Sequence, residues 1–260
     1  MKKKYILILS LLFPLLSFSQ YDDEVSKLEL FDKAVDLSVY AQTIAKDKLY
    51  LVNNLKKATA AKELDFVLAK FDENLGDIDI NVSNTNVRVR IEALKTFWQK
   101  FGLTATEIQN FKDFTSFYYQ VNTLDRLVSD LVESMKAAYD LPIEKLEKYI
   151  GGQHFRKLIQ KITMSYYANF LGLSKSYMHA YNKNIEEINK FVKDNSNEFL
   201  NDPIAGKYFA DIILDWNFFK TNLQNKKLKM PKTVFSLSVS MDYKLWLIKR
   251  NYIKQLNRGF

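Results

Sequence analysis

The chain has 260 residues, of which 47 % are hydrophobic and 26 % charged, a balance that excludes extended disorder. Seven Gly and four Pro are too few for the turns of a β-sandwich or barrel, and they leave no glycine-rich phosphate loop. Zero Cys removes disulfides, thiolate metal sites and cysteine nucleophiles, and two His cannot furnish a His-rich zinc site. The formal charge of +8 is uneven: residues 225–260 hold nine Lys/Arg against the single acid Asp242.

Residues 1–20 open with Lys2, Lys3 and Lys4, followed by an apolar run from Tyr5 to Leu16 and small residues at Ser17 and Ser19. This is the pattern of a secretory signal peptide over 1–19, and the run falls short of the ~20 residues that span a bilayer. The rest of the chain is expected to be exported, periplasmic and free of further membrane spans.

Apolar residues then recur at helical spacing. Helices are predicted over 23–57, 60–75, 87–101, 104–139, 143–173, 176–195, 205–224 and 233–256. The cluster Gly76 to Asn86 reads as a turn-rich connection, and Gly102 as a helix stop. Asp140-Leu141-Pro142, Asn195-Ser196-Asn197, Asn201-Asp202-Pro203 and Lys229-Met230-Pro231 read as breaks. The fold class is therefore all-α, with eight long helices that bury their apolar stripes as two tandem antiparallel four-helix bundles.

The two halves align without gaps at an offset of 118 residues. Gln42 pairs with Gln160, Ile44 with Ile162, Leu94 with Ile212, Trp98 with Trp216, Phe101 with Phe219, and Phe117 with Phe235. The chain has only three Trp, so a Trp pair in register with a Phe pair three residues on points to duplication. The expected units are 20–141 and 142–260.

The second unit opens with GGQHFRKLIQKITMSYYANFLGL, 151–173. This segment resembles the opening helix of the N-terminal sensor domain of type IV pili methyl-accepting chemotaxis transducers, and the periplasmic domain of nitrate/nitrite sensor kinases looks related. Arg156, Leu158, Gln160 and Ile162 match that pattern, with Lys161 a conservative change. Gly152 stands for its opening Ala, Gln153 occupies its Gly position, and His154, Phe155, Lys157 and Ile159 depart from it. Residues 35–51 are a weaker copy, with Gln42, Ile44, Ala45 and Lys46 in place but Ser38 at the Arg position. The resemblance implies a helical bundle that senses small ligands, with Arg156 binding an anion such as nitrate or nitrite at a dimer interface.

Helical geometry read directly from the residues agrees with such a role. Phe155, Leu158, Ile159, Ile162, Tyr166 and Phe170 form an apolar stripe, and Gln153, Arg156, Gln160, Thr163 and Tyr167 a polar band on its flank. A planar guanidinium suits a planar oxyanion, and the neutral side chains add donors. An Arg at a stripe edge also commonly pairs with a carboxylate of its own chain. The corresponding band of the first unit, Val35, Ser38, Gln42, Ala45 and Leu49, is smaller and suits a helix–helix seam.

Phe111, Phe114, Phe117, Tyr118 and Tyr119 read as core. His154 and His179 lack any metal-ligand spacing, and no serine elbow, paired-carboxylate signature or His-Glu-x-x-His appears, so neither catalysis nor a cofactor is expected. Two function classes follow. One is an exported, non-enzymatic ligand-binding or sensor-like module for a small anion, acting through a homodimer or an envelope signalling partner. The alternative is an envelope structural or interaction protein whose basic C-terminal helix docks on a membrane surface or an acidic partner. Nucleic acid is not an expected partner.

Overall fold

A computed structural model of the chain describes residues 3–107, 111–141, 143–173, 181–224 and 230–256. The described residues form eight helices and no strand: α1 (Lys3–Val52), α2 (Lys57–Asn81), α3 (Thr85–Glu107), α4 (Phe111–Tyr139), α5 (Ile143–Phe170), α6 (Tyr181–Asn201), α7 (Ala205–Gln224) and α8 (Pro231–Leu256). Among them no helix is long and apolar enough to cross a membrane. The side chains of residues 1–26 lie outside the described residues, and so does the leader predicted there; the backbone of α1 is continuous from Lys3.

Three predicted boundaries are corrected. The stretch 76–81 is helical, because Ile78 is fully buried, Asp77 pairs with Lys33 of α1 at 2.6 Å, and Asp79 accepts from Arg88 and Lys95 of α3. Packing on two neighbours overrides the turn propensity of Gly, Asp and Asn. Gly102 does not end α3, since Ala105 carries the buried face one turn further. Asn195 does not end α6: its side-chain amide donates to the Phe191 carbonyl four residues back, and the helix runs on to Asn201.

The ends that do hold have local causes. Left-handed Asn54 and Lys56 separate α1 from α2, and left-handed Gly172 closes the end of α5. Asn84 accepts from the amides of Asn86 and Val87 to cap α3. Asp202 accepts from Ile204 and Ala205 to cap α7, at the same offset of 118.

Helix α1 packs on α2, α4 and α5; α3 bridges α2 and α4; and α5, α6, α7 and α8 pack in a closed sequence, each on the next and α8 back on α5. Two apolar cores result. One is centred on Phe31, Phe71, Phe101 and Phe117, the other on Phe155, Phe209, Trp216 and Phe219. Gly151 lets α6 approach, because a Cβ there would lie 2.7 Å from the Phe191 ring. The Trp pair occupies equivalent places. Trp98 Nε1 donates to Asp72 on α2 and its ring lies tilted 5.7 Å from Phe101, while Trp216 Nε1 donates to Asn189 on α6 and its ring stacks 5.6 Å from Phe219.

Candidate functional site

The polar band predicted on α5 packs against α1, where it meets Asp32, Asp36 and Tyr50, while Ser38 of the predicted α1 band turns to Asp125 of α4. Tyr149 touches Asp32, Gln153 touches Asp36 and Tyr167 touches Tyr50, each pair 117 residues apart. A constant separation means that the two helices run parallel and in register. A residue of α5 then sits level with the α1 residue 117 before it, so Gln160 lies at the level of Thr43 and Thr163 at that of Lys46. Three layers stack along this seam.

The first layer is ionic. Arg156 is 3 % exposed. Its Nε and Nη2 grip Asp242 of α8 at 2.9 and 3.2 Å, and its Nη1 donates to Asp36 at 3.0 Å and to Gln153 Oε1 at 2.9 Å. Lys249 of α8 enters from the other side, with Nζ 2.5 Å from Asp36 and 2.8 Å from Asp32. Tyr149 donates its hydroxyl to Asp32. Burial works to raise the Asp36 pKa, but Lys249 and Arg156 outweigh it and hold the carboxyl below its ordinary value. Asp32 goes the other way: burial, with the neighbouring Asp36 charge, pushes it up against the pull of Lys249. Three carboxylates face two cations, and of the pair on α1 it is Asp32, not Asp36, that holds a proton more easily.

The second layer is neutral and unpaired. Both polar atoms of the Gln42 amide, both of Gln160 and the hydroxyl of Thr163 are shut off from solvent without a hydrogen-bond partner in the protein. Each such group costs about 1–3 kcal/mol when left unmade. Beside them Lys46, fully buried, bonds Glu63 of α2 at 2.9 Å, lies 3.3 Å from Asp47, and faces the Phe235 ring at 4.7 Å. Burial, reinforced by the Glu63 charge, raises Asp47 well above its ordinary value despite Lys46. The third layer is aromatic: Tyr50 contacts Tyr167 and Phe235 at centroid distances of 4.2 and 4.5 Å, and its hydroxyl donates to the Pro231 carbonyl.

Outside the seam, Asp125 of α4 accepts from Ser38 and pairs with Lys157 at 2.6 Å and Lys161 at 3.2 Å. A groove of about 130 Å³ between α1, α4 and α5 is lined by Ser38, Ser129, Gln153, His154 and Lys157, and reaches the ionic layer at Gln153.

The five predicted site residues thus lie on one helix face but in three layers. Arg156 and Gln153 are held by the chain's own carboxylates, Gln160 and Thr163 lie in the unpaired layer, and Tyr167 belongs to the aromatic one. The sequence reading did not single out Asp32, Asp36, Asp242, Lys249, Lys46 or Asp47 as site residues. The offset of 118 brings α1 and α5 close to register and so pointed to the α1 residues, but it carried no signal for Asp242 and Lys249 of α8, whose counterparts are Leu124 and Leu131. His154 bonds Glu187 of α6 at 2.8 Å, His179 lies outside the described residues, and no group of metal-ligating side chains occurs among those described. Of the bases in the C-terminal helix, Lys249 is spent on α1 and Lys244 on Asp215 of α7 at 2.6 Å. Arg250 lies over the Trp246 ring. No protein family, characterised protein or solved structure matches the chain.

Proposed function

We propose that the chain is a non-enzymatic, ligand-responsive helical module built of two four-helix units, 20–141 and 142–260, with its ligand held in the α1–α5 seam. The observation that carries this reading is the unpaired layer of Gln42, Gln160 and Thr163. A packed seam that served only to join helices would be more stable with apolar groups at these positions. Two amides that offer both donors and acceptors suit a small polar molecule with the same mixed character. The paired tryptophans and the helix caps of Asn84 and Asp202, each recurring at an offset of 118, support the division into two units. The resemblance of 151–173 to sensor domains supports the exported, signalling context, with a homodimer or an envelope protein as the partner.

A small anion such as nitrate or nitrite is the finer form of this reading. Its seat at Arg156 requires the anion to take over from Asp36 or Asp242, which now neutralise the guanidinium. A neutral ligand in the layer of Gln160 requires no such exchange.

The test is a thermal-shift screen at constant ionic strength with nitrate, nitrite, formate, acetamide and urea at millimolar concentration. A ligand at 100 times its dissociation constant stabilises by about 2.7 kcal/mol. A rise for one probe that vanishes in Q42L/Q160L supports the seam. A rise that survives in that variant, or no rise for any probe, removes the seam as the site for this class of ligand.

A further inference from the structure

Among the described residues, Asp47 is the one acid whose carboxyl oxygens are both buried without a hydrogen bond from a donor. Lys46 Nζ lies 3.3 Å from one of them but donates to Glu63 of α2, at 2.9 Å. The Glu63 carboxyl also reaches Asp47 itself. Two ionised carboxyl groups have no hydrogen between them, so they bond only when one carries a proton. The charges agree. Lys46 with two carboxylates leaves one negative charge beside fully buried groups, and a single proton cancels it. Glu63 is 16 % exposed and gives that proton a route to solvent.

The other groups around Asp47 do not replace the proton. Tyr50 of α1 lies nearby, with Tyr166 and Tyr167 of α5 beyond it, and these are phenols without positive charge. Asp242 of α8 acts on Lys46 and adds further negative charge. Asp125 of α4 is engaged with Ser38, Lys157 and Lys161.

The corner just beyond this cluster is weakly built. Asn54 and Lys56 stand at φ 53° and 52°, a region that strains residues with a side chain. Helix α2 begins after Lys56 with no side-chain cap, and no acid in its first turn meets the helix dipole. Residues 57–59 are exposed, so Ala60, Leu64 and the contact of Glu63 with Lys46 and Asp47 are what hold its start on α1.

We propose that a proton shared between Asp47 and Glu63 latches the start of α2 onto α1, and that its loss frees the α1–α2 corner, residues 53–64, while the rest of the fold stays closed. Burial and the Glu63 charge keep the proton on Asp47 well above the ordinary carboxylate range. The latch is therefore closed in acid and opens as pH climbs through that raised value. It does not depend on a ligand in the α1–α5 seam.

The test is hydrogen exchange of the full chain at pH 6 and pH 9, read by mass spectrometry as protection factors, which remove the intrinsic pH dependence of amide exchange. In the parent, protection over residues 60–64 should fall at least tenfold from pH 6 to pH 9, with α3 and α7 unchanged. D47N places an amide donor against Glu63 at any pH, and E63Q places one against Asp47, so both should keep the corner protected at pH 9. The α3 and α7 peptides also report whether each variant is folded, and either variant alone decides the matter. No fall in the parent, a fall shared by α3 and α7, or a fall as large in D47N would overturn the proposal. A fall as large in E63Q would show that the proton is not shared, and would overturn it too.

Discussion

Arg156 of α5 and Asp36 of α1 are 120 residues apart in sequence, yet meet at 3.0 Å with both side chains more than nine-tenths buried. With Asp242 on the other flank of the guanidinium, this contact ties three helices from both ends of the chain. Removing one partner of a buried pair strands the other charge, at a cost of about 3–5 kcal/mol. Arg156→Ala should therefore lower unfolding stability by roughly that amount. Urea unfolding followed by circular dichroism measures it, and a loss below about 1 kcal/mol would mean that the guanidinium is not held as described.

The ionic groups give stability a two-sided pH dependence. Asp36 and Asp125 are held below their ordinary value of 3.8, in each case because paired cations outweigh burial. Their contribution is present above 3.8 and is lost as pH falls through the depressed folded values. Asp47 and Asp32 are raised, so theirs is complete below 3.8 and is lost as pH climbs through the raised ones. D47N, which cannot ionise, should lose less stability than the parent between pH 4 and neutrality. Urea midpoints across that range test this, and parallel curves for the two proteins would contradict it.

The two tryptophans offer a matched pair of substitutions. W98F removes the donor to Asp72 and W216F the donor to Asn189. Each should cost about 1–3 kcal/mol, from a lost hydrogen bond plus a smaller ring in the core. Both variants should lose stability on denaturant unfolding, W98F more than W216F, since Asp72 is an acidic acceptor and Asn189 a neutral amide. A loss confined to one variant would show that the two units are not built alike.

Glycines separate close packing from open helix surface. Gly206→Ala places a Cβ 2.7 Å from a backbone oxygen and should destabilise by about 1–3 kcal/mol. Gly152→Ala meets nothing within 4 Å inside α5 and should stabilise by about 0.5–1 kcal/mol. Thermal unfolding of the two variants should shift in opposite directions.

Helical periodicity made the all-α class and most helices legible, because long apolar stripes survive local noise. It failed at Gly76–Asn81, where Ile78 and two acidic side chains find partners on other helices. For the site, spacing identified the polar face of α5 but not what it faces. A guanidinium aimed at a ligand and one aimed at Asp36 read the same along a single helix. Only the register of α1 against α5 distinguishes them, and it is expressed in pairs more than a hundred residues apart. The groups with no partner at all, on Gln42 and Gln160, were visible as a repeated pair without any indication that they would be buried.

The most direct test is the unfolding free energy of Q42L/Q160L in buffer without added ligand. If the two amides are kept for a ligand, replacing them with apolar side chains of similar size removes unmade hydrogen bonds. The variant should then gain about 2 kcal/mol. A loss of stability of that size would mean that the amides are already satisfied within the folded protein, and that the seam is structural.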